Sequence, residues 1–208
     1  MNRMYGGFSL LALAGALAAC GGDDGPKVAV TDLPAGHYTV SVGDANAPTV
    51  GKYYAASDGS RLLVLANSND QATQLYRRAV GANWVAVPTA GQDTSVSLLR
   101  SDALPVAAVN LAAMAGNYTT ALAAGGVASF AVNASGDITA GTSACKLSGK
   151  LSAGVLPNTL ALSLSAQACG SLPASSTGVL AVDVDYAPAL RLVADNGVQL
   201  LDLWAYRE

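Results

Sequence analysis

The sequence predicts an all-β protein: an antiparallel meander in which a C-terminal, eight-stranded, barrel-like lobe packs on a smaller N-terminal β lobe. Three observations carry this reading. The 208 residues include 22 Gly and only 12% charged residues, with 13 Asp against a single Glu, so turn formers are plentiful and strong polar helix formers scarce. Apolar residues alternate with Ser, Thr and Asp in short runs, the period of a half-buried strand. Turn clusters such as Ser57-Asp58-Gly59-Ser60 and Asn67-Ser68-Asn69-Asp70 separate those runs. At 51% hydrophobic with a net charge of -3, the chain can bury a core, which excludes a disordered or nucleic-acid-coating polypeptide.

Residues 1–19 carry one charge, Arg3, ahead of an apolar stretch from Gly6 to Ala19, and Cys20 follows. About 14 apolar residues rise roughly 21 Å as a helix, short of the ~30 Å hydrocarbon core, so this segment reads as a signal peptide and not a spanning helix. Leu17-Ala18-Ala19-Cys20 resembles the lipobox of bacterial lipoproteins. The resemblance implies cleavage before Cys20, a diacylglycerol and palmitate-type acylation at that residue, and anchoring to the bacterial outer membrane on its periplasmic face. Gly21 and Gly22, not Asp, follow the cysteine, which favours the outer membrane by the same resemblance. The alternative is an ordinary signal peptide cut at Ala16-Leu17-Ala18, with Cys20 incidental. Losing Arg3 from 11 basic and 14 acidic residues leaves a net charge of -4, with no basic patch for nucleic acid or anionic lipid. The expected partners are the membrane, through the anchor, and an envelope protein.

The elements follow in order. Residues 20–34 are Gly- and Asp-containing and read as a lipidated N-terminus and tether. The N-terminal lobe, 35–104, is expected to hold strands near His37–Val42, Val50–Ala56, Arg61–Asn67, Ala72–Val80, Asn83–Val87 and Thr94–Ser101. Six strands are too few for a comfortable closed barrel, so some pairing with the second lobe is expected. Leu104 to Ala115 lacks alternation; Asn110 as a cap and Gly116 as a stop predict one or two helical turns. The C-terminal lobe, 105–208, offers strands near Asn117–Ala123, Val127–Asn133, Asp137–Cys145, Leu147–Val155, Thr159–Ala168, Gly178–Tyr186, Leu190–Ala194 and Val198–Tyr206, which read as an up-and-down barrel. Phe130, Val132, Leu160, Leu162, Leu164, Leu180, Val182, Val184 and Tyr186 are expected to face inward. The last strand is apolar on both sides, so the other lobe should cover it and the lobes should not hinge freely.

The lobes echo each other. Ala35-Gly36-His37-Tyr38-Thr39 matches Ala115-Gly116-Asn117-Tyr118-Thr119, and Ser57-Asp58-Gly59 matches Ala134-Ser135-Gly136. Common turn chemistry before a strand is the competing explanation. The Gly-x-Tyr opening also resembles the Gly-x-Trp opening of lipocalin-type barrels over three residues, with Tyr in place of Trp.

Cys145 and Cys169 form an even pair in an exported chain, which predicts a disulfide; two thiols without further ligands cannot complete a tetrahedral metal site. Direct pairing of the two centres a hairpin on Pro157, yet the apolar residues are odd-numbered before that turn and even-numbered after it. A one-residue bulge within Ala166-Gln167-Ala168 would reconcile the faces with the bridge.

Candidates for chemistry are sparse. The single histidine, His37, is expected to point away from Val40 and Val42 and to be exposed. Asp183 and Asp185 share a strand face at a spacing that could bind a cation or serve acid–base work, but their apolar alternates place them on the solvent side. Arg77, Arg78 and Trp84 form a cationic and aromatic cluster that could recognise an anionic ligand or a partner, or else guard an edge strand. No Gly-x-Ser-x-Gly elbow, phosphate loop or His-based metal site exists, and no cofactor is implied. The sequence therefore points to a non-enzymatic interaction or structural module, with a carrier of a small apolar ligand inside the barrel as the alternative.

Overall fold

The computed structural model describes residues 25–123, 125–183, 185–187 and 189–208. The signal peptide, Cys20 and Val184 lie outside the described residues. Within the segment read as a tether, Val28–Val30 forms β1, which pairs in parallel with β7 (Thr94–Val96). Val30 is buried there against the N-terminal core, so the alternation Val28-Ala29-Val30 is a strand signal that the polar neighbours masked.

The N-terminal lobe is one six-stranded sheet. It contains β2 (Gly36–Asp44), β3 (Ala47–Ala55), β4 (Arg61–Ala66), β5 (Ala72–Arg78), β6 (Val85–Val87) and β8 (Leu98–Leu104), in the order β6-β5-β4-β3-β2-β8. The run expected as one strand over Thr94–Ser101 divides at Ser97, its first part joining β1 and its second β2. The expected strand pairing with the second lobe does not occur among the described residues. The sheet instead buries both faces. Tyr53, Leu63 and Leu65 pack with Trp84 and Val96 on one side, while Tyr54, Leu62 and Val64 pack against the barrel on the other.

The second lobe is a closed antiparallel barrel, as the alternation predicts. β9 (Gly116–Ala121), β10 (Val127–Val132), β11 (Asp137–Ala140), β12 (Lys146–Ala153), β13 (Thr159–Gln167), β14 (Ser175–Ala181), β15 (Ala189–Asp195) and β16 (Leu200–Arg207) pair in sequence, and β16 returns to β9. A single 3-10 turn, Leu111–Met114, precedes it, with the Asn110 side chain accepting from the Ala112 N–H as a cap. The inward side chains touch one another in one cluster that includes Tyr118, Phe130, Val132, Leu147, Leu151, Leu160, Leu162, Leu164, Leu180, Leu192, Leu201 and Leu203, with Val182 packed against it. Tyr186 is a correction: β14 ends at Ala181, the chain turns, and Tyr186 joins the seam between the lobes.

Strands β12 and β13 pair continuously from Lys146↔Gln167 to Ala153↔Leu160. The Cys145–Cys169 disulfide needs one more residue on the second strand, and that residue is Ala168, in the left-handed region at φ 55°. The extra residue thus falls within the expected triplet, but it lies just past the end of β13, and the ladder itself runs without a bulge. That residue lets Leu147 and Leu151 share the interior with Leu160, Leu162 and Leu164 while the sulfurs meet.

Close strand approach fixes one glycine. A Cβ on Gly178 would stand 2.1 Å from the Val193 carbonyl oxygen and 2.5 Å from the Ala194 Cα. Backbone cannot yield as a side-chain tip can, so Gly178→Ala is expected to cost about 1–3 kcal/mol, read as a lowered urea midpoint.

The lobes open alike. The Tyr38 hydroxyl donates to the Pro34 carbonyl (3.1 Å) and the Tyr118 hydroxyl to the Met114 carbonyl (2.8 Å), each four residues back. In both lobes the first strand after that device pairs with the last, β2 with β8 and β9 with β16. The second echo is weaker: the hydrogen bonds closing Ala56–Ser60 and Asn133–Asp137 recur at Asn67–Gln71 and Leu122–Gly126, as common turn chemistry would have it.

Candidate functional site at the lobe seam

Strands β14, β15 and β16 have two apolar faces. Their inward residues fill the barrel, and their outward ones, including Val179, Ala181, Val193 and Trp204, meet Tyr54, Leu62, Val64, Leu75 and Val87 of the sheet. Charged residues set into those strands must therefore find partners within the seam.

His37 faces away from Val40, as the alternation requires, but the expectation of exposure fails. The barrel covers that face, leaving His37 1% exposed and stacked on Tyr54 with ring centroids 4.5 Å apart. The Asn158 side-chain nitrogen, 3.3 Å from Nδ1, also donates to the Pro105 carbonyl (3.0 Å). Taken as the acceptor of that amide, Nδ1 leaves the ring proton on Nε2. Nε2 lies 3.3 Å from Asp183 Oδ2, within electrostatic reach but off the line of a hydrogen bond.

Asp183 and Asp185 are also corrected. Because β14 ends at Ala181, both lie in the following loop and not on one strand face. The Asp183 side chain is buried, that of Asp185 exposed, and both reach Lys52, with Nζ 3.0 Å from Asp183 Oδ2 and 2.6 Å from Asp185 Oδ2. Burial pulls the Lys52 pKa down, but the ammonium's donation to the Asp185 carboxylate and its contact with the charged Asp183 outweigh that and raise the pKa, so the ammonium stays charged.

Burial pulls His37 below its ordinary value; Asp183 partly offsets this, Lys52 adds to it, and Asp185 opposes it. The unfolded imidazole therefore binds a proton more readily than the folded one. Stability is expected to be unaffected above the unfolded pKa of 6.5 and to fall as pH drops below it towards the folded value. Urea titrations of His37→Gln across that window should lose this increment of pH dependence.

A second network holds the seam. The Arg191 Nε and Nη2 donate to Asp202 Oδ1 and Oδ2, both at 2.9 Å, Nη1 donates to the Tyr186 hydroxyl (3.3 Å), and Nη2 also donates to the Asp70 carbonyl (3.0 Å). The guanidinium lies 4.8 Å from the Trp204 ring centroid and 5.5 Å from that of Tyr186. Burial lowers the Arg191 pKa, but the Asp202 hydrogen bonds and charge more than reverse that, holding it above its usual value.

The cluster expected at Arg77, Arg78 and Trp84 is divided between two faces. Arg77 crosses the seam to Asp195, with contacts of 2.8 and 3.1 Å. Arg78 turns the other way, pairing with Asp32 at 2.8 and 2.9 Å and lying 5.0 Å from the Trp84 centroid. Trp84 is buried, and β5 lies between β4 and β6, so neither arginine guards a sheet edge.

Lys52, Arg191 and Asp202 are not among the site residues expected from the sequence, although the sequence holds a signal for the two cations: each is the only cation of its strand and sits between apolar neighbours. Beside them, two cavities open along β16. One, of about 220 Å³, is bordered by Lys52, Asp185, Tyr186 and Arg191; the other, of about 500 Å³, by Asn69, Gln71, Asp202 and Tyr206; Asp70 and Trp204 border both. With His37 walled off between Tyr54 and the barrel, no general base faces these cavities through it. Among the described residues, no group of three or more His, Cys, Asp or Glu has an arrangement that could hold a metal ion. Comparison with known protein families, curated proteins and solved structures finds no match to the chain.

Proposed function

We propose that the protein is a lipid-anchored cell-envelope protein, held by Cys20 at the periplasmic face of the outer membrane, that acts as a non-enzymatic interaction or structural module. The observation that carries this reading is the seam: its buried charges neutralise one another and fasten a filled barrel to a two-faced sheet, which makes a firm body with an open groove. The lipobox-like Leu17-Ala18-Ala19-Cys20 supports the anchor. Acyl chains contribute about 0.8 kcal/mol per buried CH₂, so a doubly or triply acylated N-terminus holds the protein without a membrane-binding face on either lobe.

A closed eight-stranded barrel also suits a carrier of a small apolar ligand, and this remains the second reading. Native mass spectrometry of the protein extracted gently from its own membrane separates the two. The module reading expects an acylated chain beginning at Cys20 that retains a macromolecular envelope component. A stoichiometric small apolar adduct would replace it with the carrier, and an unacylated N-terminus would overturn the anchor.

A further inference from the structure

The groove along β16 is built and held. Asp202, Trp204 and Tyr206 alternate on the outer face of that strand, with Tyr206 50% exposed. Opposite them, the turn from Asn67 to Ala72 projects Asn69, Asp70 and Gln71, whose exposed side chains make no hydrogen bond among the described residues.

This turn is pre-set. The Asn67 side-chain oxygen accepts from the Asn69 and Gln71 N–H groups (2.9 and 3.1 Å), and Asp70 adopts the left-handed region at φ 57°. Arg191 donates to the Asp70 carbonyl, and the Ala72 N–H donates to Asp202 Oδ2 (2.6 Å), so the barrel itself fixes the turn. The Trp204 indole nitrogen is buried and has no acceptor among the described residues.

These groups describe a ligand. Aromatic rings suit a C–H face, while free amides and a free carboxylate suit hydroxyls that both donate and accept. The larger cavity is bordered by Asp70 and Asp202 and no cation, and the smaller balances Lys52 and Arg191 against Asp70 and Asp185, so an anion gains no net attraction. An extended peptide cannot add to β16, because β15 and β9 already pair with it on both sides. Both openings together fall within the roughly 300–1,000 Å³ of small-molecule sites.

We propose that this groove binds a neutral saccharide, with Tyr206 and Trp204 against its ring faces and Asn69, Asp70 and Gln71 on its hydroxyls. The proposal rests on the module reading and names the chemistry of its partner.

The test uses the intact, membrane-extracted protein and titrates maltohexaose, cellohexaose and chitohexaose, with an alginate hexamer as the anionic comparison, by calorimetry and tryptophan fluorescence. Saturable binding of a neutral oligosaccharide is expected, weakened about tenfold or more by Tyr206→Ala and by Gln71→Ala and unchanged by Leu99→Ala on distant β8. Tyr206 and Gln71 are exposed, so both variants should unfold at the wild-type urea midpoint. No binding of any neutral sugar at millimolar concentration, equal binding of alginate, or binding indifferent to both groove variants would each overturn the proposal. The module reading fails separately, through the apolar adduct described above.

Discussion

Replacing Arg191 by Ala is expected to lower the unfolding free energy by about 3–5 kcal/mol, the cost of breaking a buried ion pair by removing one partner. Both side chains of the pair are almost wholly enclosed, Arg191 at 4% and Asp202 at 5% exposed, so the abandoned carboxylate has little water to turn to. The loss spreads further, because Arg191 also holds the Asp70 carbonyl and the Tyr186 hydroxyl and lies over Trp204. Urea unfolding measures the total. Hydrogen exchange is expected to accelerate at Asn69–Ala72, where the turn loses one of its two fastenings to the barrel. The double variant Arg191→Met with Asp202→Leu should recover only part of the loss. It removes both charges but leaves the Ala72 N–H without its acceptor.

Removing the disulfide with Cys145→Ala and Cys169→Ala is expected to cost about 3–3.5 kcal/mol on the loop-entropy account, given a separation of 24 residues. The effect acts through the unfolded chain and leaves the register of β12 on β13 in place. That register is set by Leu147, Leu151, Leu160, Leu162 and Leu164, all buried in the barrel. The two variants therefore part company under exchange: the cysteine variant should keep protection along Lys146–Ala153, while the Arg191 variant loosens the seam. Urea midpoints with and without reductant provide the check on the wild-type chain.

The barrel was legible because its signals are local. Alternation names the inward residues of each strand, turn residues mark the ends, and even the extra residue at Ala168 follows from the mismatch between cysteine spacing and leucine parity. The seam was not legible in the same way. Alternation puts His37 on the face it occupies, but whether that face meets water depends on a barrel wall more than a hundred residues further along the chain. The alternation that places Asp183 and Asp185 on one face continues through Tyr186 after pairing stops at Ala181, and hydrogen bonding, unlike hydropathy, leaves no trace in composition. The short strand Val28–Val30 escaped because it pairs with Thr94–Val96, a contact no nearby residue announces. Lys52 and Arg191 each sit between apolar neighbours in a strand, but composition does not point to their partners: Asp202 reaches Arg191 across the β15–β16 ladder, and Asp183 reaches Lys52 only where the two lobes meet.

On the function proposed above, the filled barrel is a wall and the seam beside β16 is the working surface. Photocrosslinking in intact cells tests it most directly, with a photoreactive residue placed in turn at Tyr206 in the groove and at Ser148 on β12. Three strands separate β12 from β16 in either direction around the barrel, and both positions are exposed. Tyr206 is expected to capture an envelope component and Ser148 is not. Capture from Ser148 alone, or equally from both positions, would contradict it.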